Sequence, residues 1–234
     1  MHSNLALRVI SSAVLAPLAI LVAWLGGATF VALSTIAASI VLWEWAGLVK
    51  AQGLARGQGA AWFGAWMLAG LLYAGVLLLA PVALRRDAAL GFAAIMFLFA
   101  LVWATDIAAY FAGRAIGGPK LWRAVSPNKT WAGALGGAVG AVAAGLAVLQ
   151  LMGLVLSPIH VLLALALSAA AQAGDLLESA IKRHFDAKDA SQLIPGHGGL
   201  MDRLDGFLTA AAAAVMVGFA RAGVCEPARG LLIW

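Results

Sequence analysis

Charge is what this sequence has least of. Only 11% of its 234 residues are Asp, Glu, Lys or Arg, where a soluble domain carries about a quarter. The few charges are clustered, so long stretches carry none. With a mean hydropathy of +0.98, this excludes a soluble fold around a large core and leaves a polytopic membrane protein. Cysteine is nearly absent too. Cys225 stands alone, which excludes an internal disulfide and any cysteine zinc site. There is no convincing internal repeat and no low-complexity linker. The net charge of +5 is modest. It fits basic loops beside lipid headgroups, and no nucleic acid is expected as a partner.

What the chain does have is apolar runs. Seven can be marked, at roughly 9–27, 29–49, 60–81, 88–112, 131–153, 159–181 and 204–222. In lipid such runs must be helices, because the backbone has to satisfy its own hydrogen bonds. The expected fold is an all-α polytopic membrane bundle of about seven transmembrane helices, or up to nine if short half-helices add to the count. The run Val9–Leu25 is longer than a usual signal-peptide core and reads as a retained first helix. We treat 1–234 as a single transmembrane domain, with N-terminal helices over 1–100 and catalytic helices and loops over 101–222.

Placing the N-terminus in the cytoplasm puts eleven of the fifteen cations on the cytoplasmic side. Only Arg85, Arg86, Arg221 and Arg229 then lie opposite. Both polar loops, 113–130 and 182–203, fall on the cytoplasmic side, where nucleotides are available.

The main polar interlude is 179–205, SAIKRHFDAKDASQLIPGHGGLMDRLD. Its carboxylates are suited to a hard cation, and its Lys, Arg and backbone N–H groups to phosphoryl oxygens. Upstream, Asp175, Glu178, Ser179 and Lys182 share one helix face. Glu178 and Lys182 alone would be an ordinary i, i+4 ion pair. Asp175, about two turns inside an apolar run, is better read as part of a site. Asp202 and Asp205 open the last span, close enough to share a cation with Asp175. Gly196–Gly199 can bring N–H groups near a ligand. His197 fits a general acid or base, a phosphate donor or a plain turn residue; phosphate contact is favoured.

Other positions are more ambiguous. Asp106, Tyr110 and Arg114 lie along one helix face, either as a stabilising cluster or as one wall of a polar site. Lys120, Arg123, Ser126, Lys129 and Thr130 precede a helix start, which favours an anion, but taken alone ordinary positive-inside flanking is the better reading of the charges. Gly133, Gly136, Gly137 and Gly140 have the spacing of close helix packing and are not a phosphate loop. Glu44, between Trp43 and Trp45, reads as structural and interfacial, and Trp62 and Trp66 as interfacial anchors. His160 falls away from the polar loops and is assigned no role.

These residues resemble the signature of the phosphatidate cytidylyltransferases, or CDP-diacylglycerol synthases. The matching positions are Ser179, Ile181, Lys182, Arg183, Lys188, Asp189, His197, Gly198, Gly199, Leu200, Asp202, Arg203 and Asp205. Three shorter elements also match: Gln172, Gly174, Asp175, Glu178 and Ser179; Asp106, Ala109 and Tyr110; and Ser126, Pro127, Lys129, Thr130 and Trp131. The resemblance covers about residues 103–209. Ala132 departs from it, because family members commonly carry Glu there.

The resemblance implies transfer of the cytidylyl group of CTP to phosphatidic acid drawn from the bilayer. The products would be CDP-diacylglycerol and pyrophosphate, for phospholipid biosynthesis. It implies metal ligands Asp175, Asp202 and Glu178 in a two-cation centre containing Mg2+, with a monovalent ion as one option for the second cation. Catalytic contacts fall to Lys182, Arg183, Lys188, Asp189, His197, Arg203 and Asp205. Substrate contacts fall to Ser126, Lys129, Thr130, Ser179, Gly198, Gly199, Asp106 and Tyr110. A homodimer in the inner (plasma) membrane, with its site facing the cytoplasm, is expected. A CTP-dependent lipid-alcohol kinase would need the same nucleotide and metal but would release CDP. A transporter would place its polar groups at the midplane within repeated halves. A CDP-alcohol phosphotransferase would carry an Asp-Gly-x-x-Ala-Arg run, which this chain lacks.

Overall fold

Apolar residues all round a segment leave a lipid-embedded backbone only one economical form, and the apolar runs are helical throughout. The structure, a computed structural model, describes residues 2–194 and 198–234, with side chains from residue 13 onward. In chain order it has α1 (His2–Leu25), α2 (Gly27–Ala55), α3 (Ala60–Arg85) and α4 (Gly91–Ile116). A hairpin of β1 (Lys120–Trp122) and β2 (Ser126–Thr130) follows, then α5 (Trp131–Leu151), α6 (Pro158–His184), α7 (Met201–Ala222) and a short α8 (Pro227–Leu232). Among the described residues, α2 to α7 are six helices long and apolar enough to cross a membrane. The first predicted span falls on α1, whose described apolar part is Ala13–Leu25. The protein is an integral membrane protein.

Short turns join α1 to α2, α2 to α3 and α3 to α4. Gly26 and Gly27, both at positive φ, turn the chain between α1 and α2. Arg85, at the end of α3, donates to the carbonyls of Ala23 (2.5 Å) and Trp24 (3.1 Å), which the end of α1 leaves unpaired. At the same end Arg86 donates to the Val224 carbonyl. His160 is fully buried there: its Nδ1 accepts from the Ser157 N–H (3.0 Å), and its Nε2 meets the Leu232 carbonyl at 3.1 Å.

The core is centred on α4, whose Ile95, Phe97, Leu98 and Leu101 are fully buried. It packs against α5 along the glycine stripe. A Cβ at Gly137 would lie 2.9 Å from the Thr105 carbonyl. Close packing within the chain is therefore what the stripe provides. A hydroxyl pair, Thr105 to Ser168 at 2.9 Å, links α4 to α6 inside the core.

Two local expectations change. The 113–130 loop is a hairpin, with Lys120 opposite Thr130 and Trp122 opposite Ser126. Trp62 and Trp66 do not simply mark the interface. They pack on Phe185 at 6.1 and 4.8 Å between ring centres, and Trp66 stacks on His184 at 4.7 Å. They join the start of α3 to the end of α6.

Candidate active site

α6 and α7 can touch backbone to backbone because Gly174 has no side chain. A Cβ there would lie 2.6 Å from the Asp205 carbonyl. This close approach aligns Asp175, one residue on, with Asp205. Glu178 stands one turn beyond Asp175 on α6. Oxygens of Asp175, Glu178 and Asp205 all lie within 4.8 Å of one another.

Lysines from two elements answer these carboxylates. Lys129, at the end of the hairpin, pairs with Asp175. Lys182 bridges Glu178 (2.8 Å) and Asp202 (2.5 Å). Glu178 is only 1% exposed, and neither of its oxygens has a hydrogen bond of good geometry. Its contact with Lys182 is an ion pair without hydrogen-bond alignment. Asp202 is better satisfied: it also accepts from the N–H groups of Gly199 (2.7 Å) and Ala190 (3.1 Å).

These groups open into a cavity of about 810 Å³ between α4, the hairpin, α5, α6 and the start of α7. Six carboxylates and four cations line it. Asp106, Tyr110 and Arg114 form the α4 wall, with Arg114 donating to the Tyr110 hydroxyl at 3.0 Å. Asp189 and Arg203 also line it. Thr130 lines it as well, but its hydroxyl accepts from the Gly133 N–H at 3.1 Å and so caps α5.

Other predicted positions stand apart from the lining. Ser126 is half-buried in the hairpin. Ser179 reaches Asp175 at 3.5 Å from behind. Arg183 is exposed and donates to the Ala187 carbonyl at 3.1 Å, and Lys188 is exposed. Gly198 has φ +83°, and a Cβ there would lie 2.8 Å from Asp202 Oδ2. A Cβ on Gly199 would lie 2.6 Å from Glu44 Oε1. Both glycines therefore make room for carboxylates of the protein itself. His197 lies outside the described residues.

Residues 54–220 match the model of the cytidylyltransferase family. The chain belongs to that family. A protein of Brucella suis biovar 1 (strain 1330) named phosphatidate cytidylyltransferase is 42% identical over 92% of this chain and 94% of its own length. A Bacillus subtilis (strain 168) protein of the same name is 46% identical over 50% of this chain and 44% of its own. One from Staphylococcus haemolyticus is 39% identical over 62% of this chain and 55% of its own. The resemblance carried by the charged motifs thus extends across nearly the whole sequence in the first of these relatives.

One residue tied to the site was undervalued in the sequence. Glu44 is 2% exposed, and its carboxylate accepts from Ser191, Leu200 and Met201. The signal was present, since a carboxylate in an apolar span needs partners. The partners were not legible, because Leu200 lies 156 residues away.

Proposed function

We propose that this chain transfers the cytidylyl group of CTP to phosphatidic acid, giving CDP-diacylglycerol and pyrophosphate. The observation that carries the reading is the acidic cluster of Asp175, Glu178 and Asp205 beside Lys129 and Lys182, in a cavity at one end of a membrane bundle. Membership of the cytidylyltransferase family and the names of the relatives support the substrates.

The lining has more carboxylates than cations, yet both substrates are polyanions. The lining therefore fits a divalent cation accompanying the nucleotide, and buried Glu178 oxygens without aligned donors fit a hard-cation ligand set. Asp175, Glu178 and Asp205 would hold it, with Asp202 beside them. Mg2+ is the proposed ion, in a two-cation centre. Bound there, it would offset negative charge on the phosphates.

The chain's own groups do the rest. Lys129 and Lys182, now paired with carboxylates, are the cations within reach of arriving phosphoryl oxygens, and Arg203 and Arg114 flank them. A lipid phosphate oxygen attacks the α-phosphorus of CTP, the α–β bridging bond breaks, and pyrophosphate leaves in line. The nucleophile is already an anion, so no general base is required. The barrier is charge repulsion and alignment, which fixed cations and helix-borne side chains reduce.

The lipid's acyl chains stay in the bilayer while its headgroup enters the cavity. Facing the cytoplasm from the inner (plasma) membrane is the orientation that the cation distribution supports. A homodimer is the assembly that the family resemblance implies. Because α4 covers the α5 glycine stripe, a dimer would use another face.

The deciding assay is pyrophosphate release by purified protein in detergent with phosphatidate, CTP and Mg2+, beside Asp202→Asn. Release that needs both substrates and Mg2+, and collapses in the variant, supports the reading. CDP in place of pyrophosphate, with a lipid alcohol as acceptor, would make it a kinase.

A further inference from the structure

A helix N-terminus presents N–H groups that the helix itself cannot satisfy. α7 starts in the candidate site, with Asp202 and Asp205 in its first turns, yet its N-cap is Leu200, which has no side-chain acceptor. The acceptor comes from α2. Glu44 Oε1 takes the Leu200 N–H at 2.9 Å, and Oε2 takes the Met201 N–H at 2.7 Å. Oε1 also takes the Ser191 hydroxyl at 2.5 Å. Among the described residues no cation lies within ion-pair distance of Glu44, so hydrogen bonds and the helix dipole satisfy this buried charge. Gly199 completes the fit, since a methyl there would intrude on the carboxylate. Just above, Asp202 takes the Gly199 and Ala190 N–H groups. The loop before α7 is thus clasped between two carboxylates, one from α2 and one from α7.

We propose that Glu44 is a positioning residue: from α2 it caps α7, seats the loop before it, and so holds Asp202 and Asp205 in register for the reaction. It does not line the cavity, so it acts through α7 and not on substrate. The catalytic half of this statement rests on the proposed function; the capping half does not.

Amide hydrogen exchange and steady-state kinetics on the full-length protein in detergent test the two halves separately. In Glu44→Gln one carboxylate oxygen becomes an NH2 that cannot accept. Exchange at Leu200 and Met201 is expected to quicken by roughly tenfold, the scale of a lost cap, while the middle of α7 stays protected. The kcat is expected to fall roughly tenfold to a hundredfold, with a smaller change in KM for CTP. Glu44→Asp, which keeps the charge but reaches less far, should fall between; it also serves if the Gln variant does not fold. Gly199→Ala should be costly in the wild-type background and nearly silent in Glu44→Ala, where the space has opened. Unchanged exchange at 200 and 201 overturns the cap. Altered exchange with wild-type kcat overturns the positioning role. An equal cost of Gly199→Ala in both backgrounds overturns the steric fit and assigns Gly199 to ligand approach. If the wild type itself releases no pyrophosphate, the functional reading fails, and the exchange data still decide the cap.

Discussion

Lys182 holds two carboxylates that would otherwise repel each other. Its ammonium lies between Glu178 and Asp202, and the side chain is only 13% exposed. Replacing it with Met keeps the length and removes the charge. Glu178, already without an aligned donor, then loses the ion-pair partner it has among the described residues. The expected result is a loss of stability of about 3 kcal/mol, seen as a lower thermal midpoint in detergent, together with near-complete loss of pyrophosphate release. Wild-type stability with lost activity would mean that Lys182 serves substrate alone. Much of this cluster was legible at the scale of residues. Asp175 is too deep in an apolar run to be merely solvated, and i, i+3 and i, i+4 spacings put Glu178 and Lys182 on its face. Which carboxylates gather was not legible. Asp205 joins Asp175 and Glu178 because α6 and α7 touch at Gly174, and Asp202 turns to Lys182 and the loop amides. That choice belongs to a helix crossing, and no spacing within one helix encodes it.

The α6–α7 contact therefore sets the site at the scale of elements. Gly174→Ala would place a methyl against the Asp205 carbonyl and Thr209, and the helices must part to admit it. The expected cost is about 1–3 kcal/mol of stability, with a loss of activity larger than the unfolded fraction explains, because Asp175 and Asp205 separate. Full activity in a destabilised variant would show that the carboxylate spacing is not critical. A second link joins α2 to the loop after α6. The chain leaves α6 through Asp186 at φ +51°, and Arg56 (2.8 Å) and Gln52 (2.5 Å) both donate to its Oδ2. These bonds, led by that from Arg56, hold the Asp186 carboxyl below its usual value. A lowered native value means that the link contributes fully above the ordinary Asp range, about pH 4, and is lost as pH falls through the native value. Arg56→Ala should thus melt slightly below wild type at neutral pH, and the two midpoints should converge in acid. A gap that persists in acid would assign the effect to packing. The helices themselves were plain from apolar runs alone. The hairpin was not, because its five-residue β2 strand, SPNKT, has no apolar alternation to announce it.

Across the whole molecule, cations divide by role as well as by side. The four arginines at the end away from the cavity all have partners within the protein. Arg85 and Arg86 donate to carbonyls of other segments, Arg229 pairs with Glu226 at 3.8 Å, and Arg221 donates to Gly230 and Ile233 while lying over the Trp234 ring. Three of them hold backbone carbonyls near helix ends, and only Arg229 has a carboxylate partner. The opposite end keeps exposed Lys120, Arg123 and Lys188 in its loops. The proposed orientation, with the cavity end in the cytoplasm, rests on the eleven-to-four division of the cations. The lone cysteine provides one native labelling site with which to measure this. Cys225 is exposed, in the turn between α7 and α8 at the far end. In intact cells stripped of any outer barrier, a membrane-impermeant maleimide should label Cys225 from outside. In a Cys225→Ala background, a cysteine replacing Arg123 in the hairpin should label only after the membrane is opened. The reverse pattern would turn the molecule over, place the cavity away from cytoplasmic nucleotide, and leave a CTP-dependent reaction without its substrate.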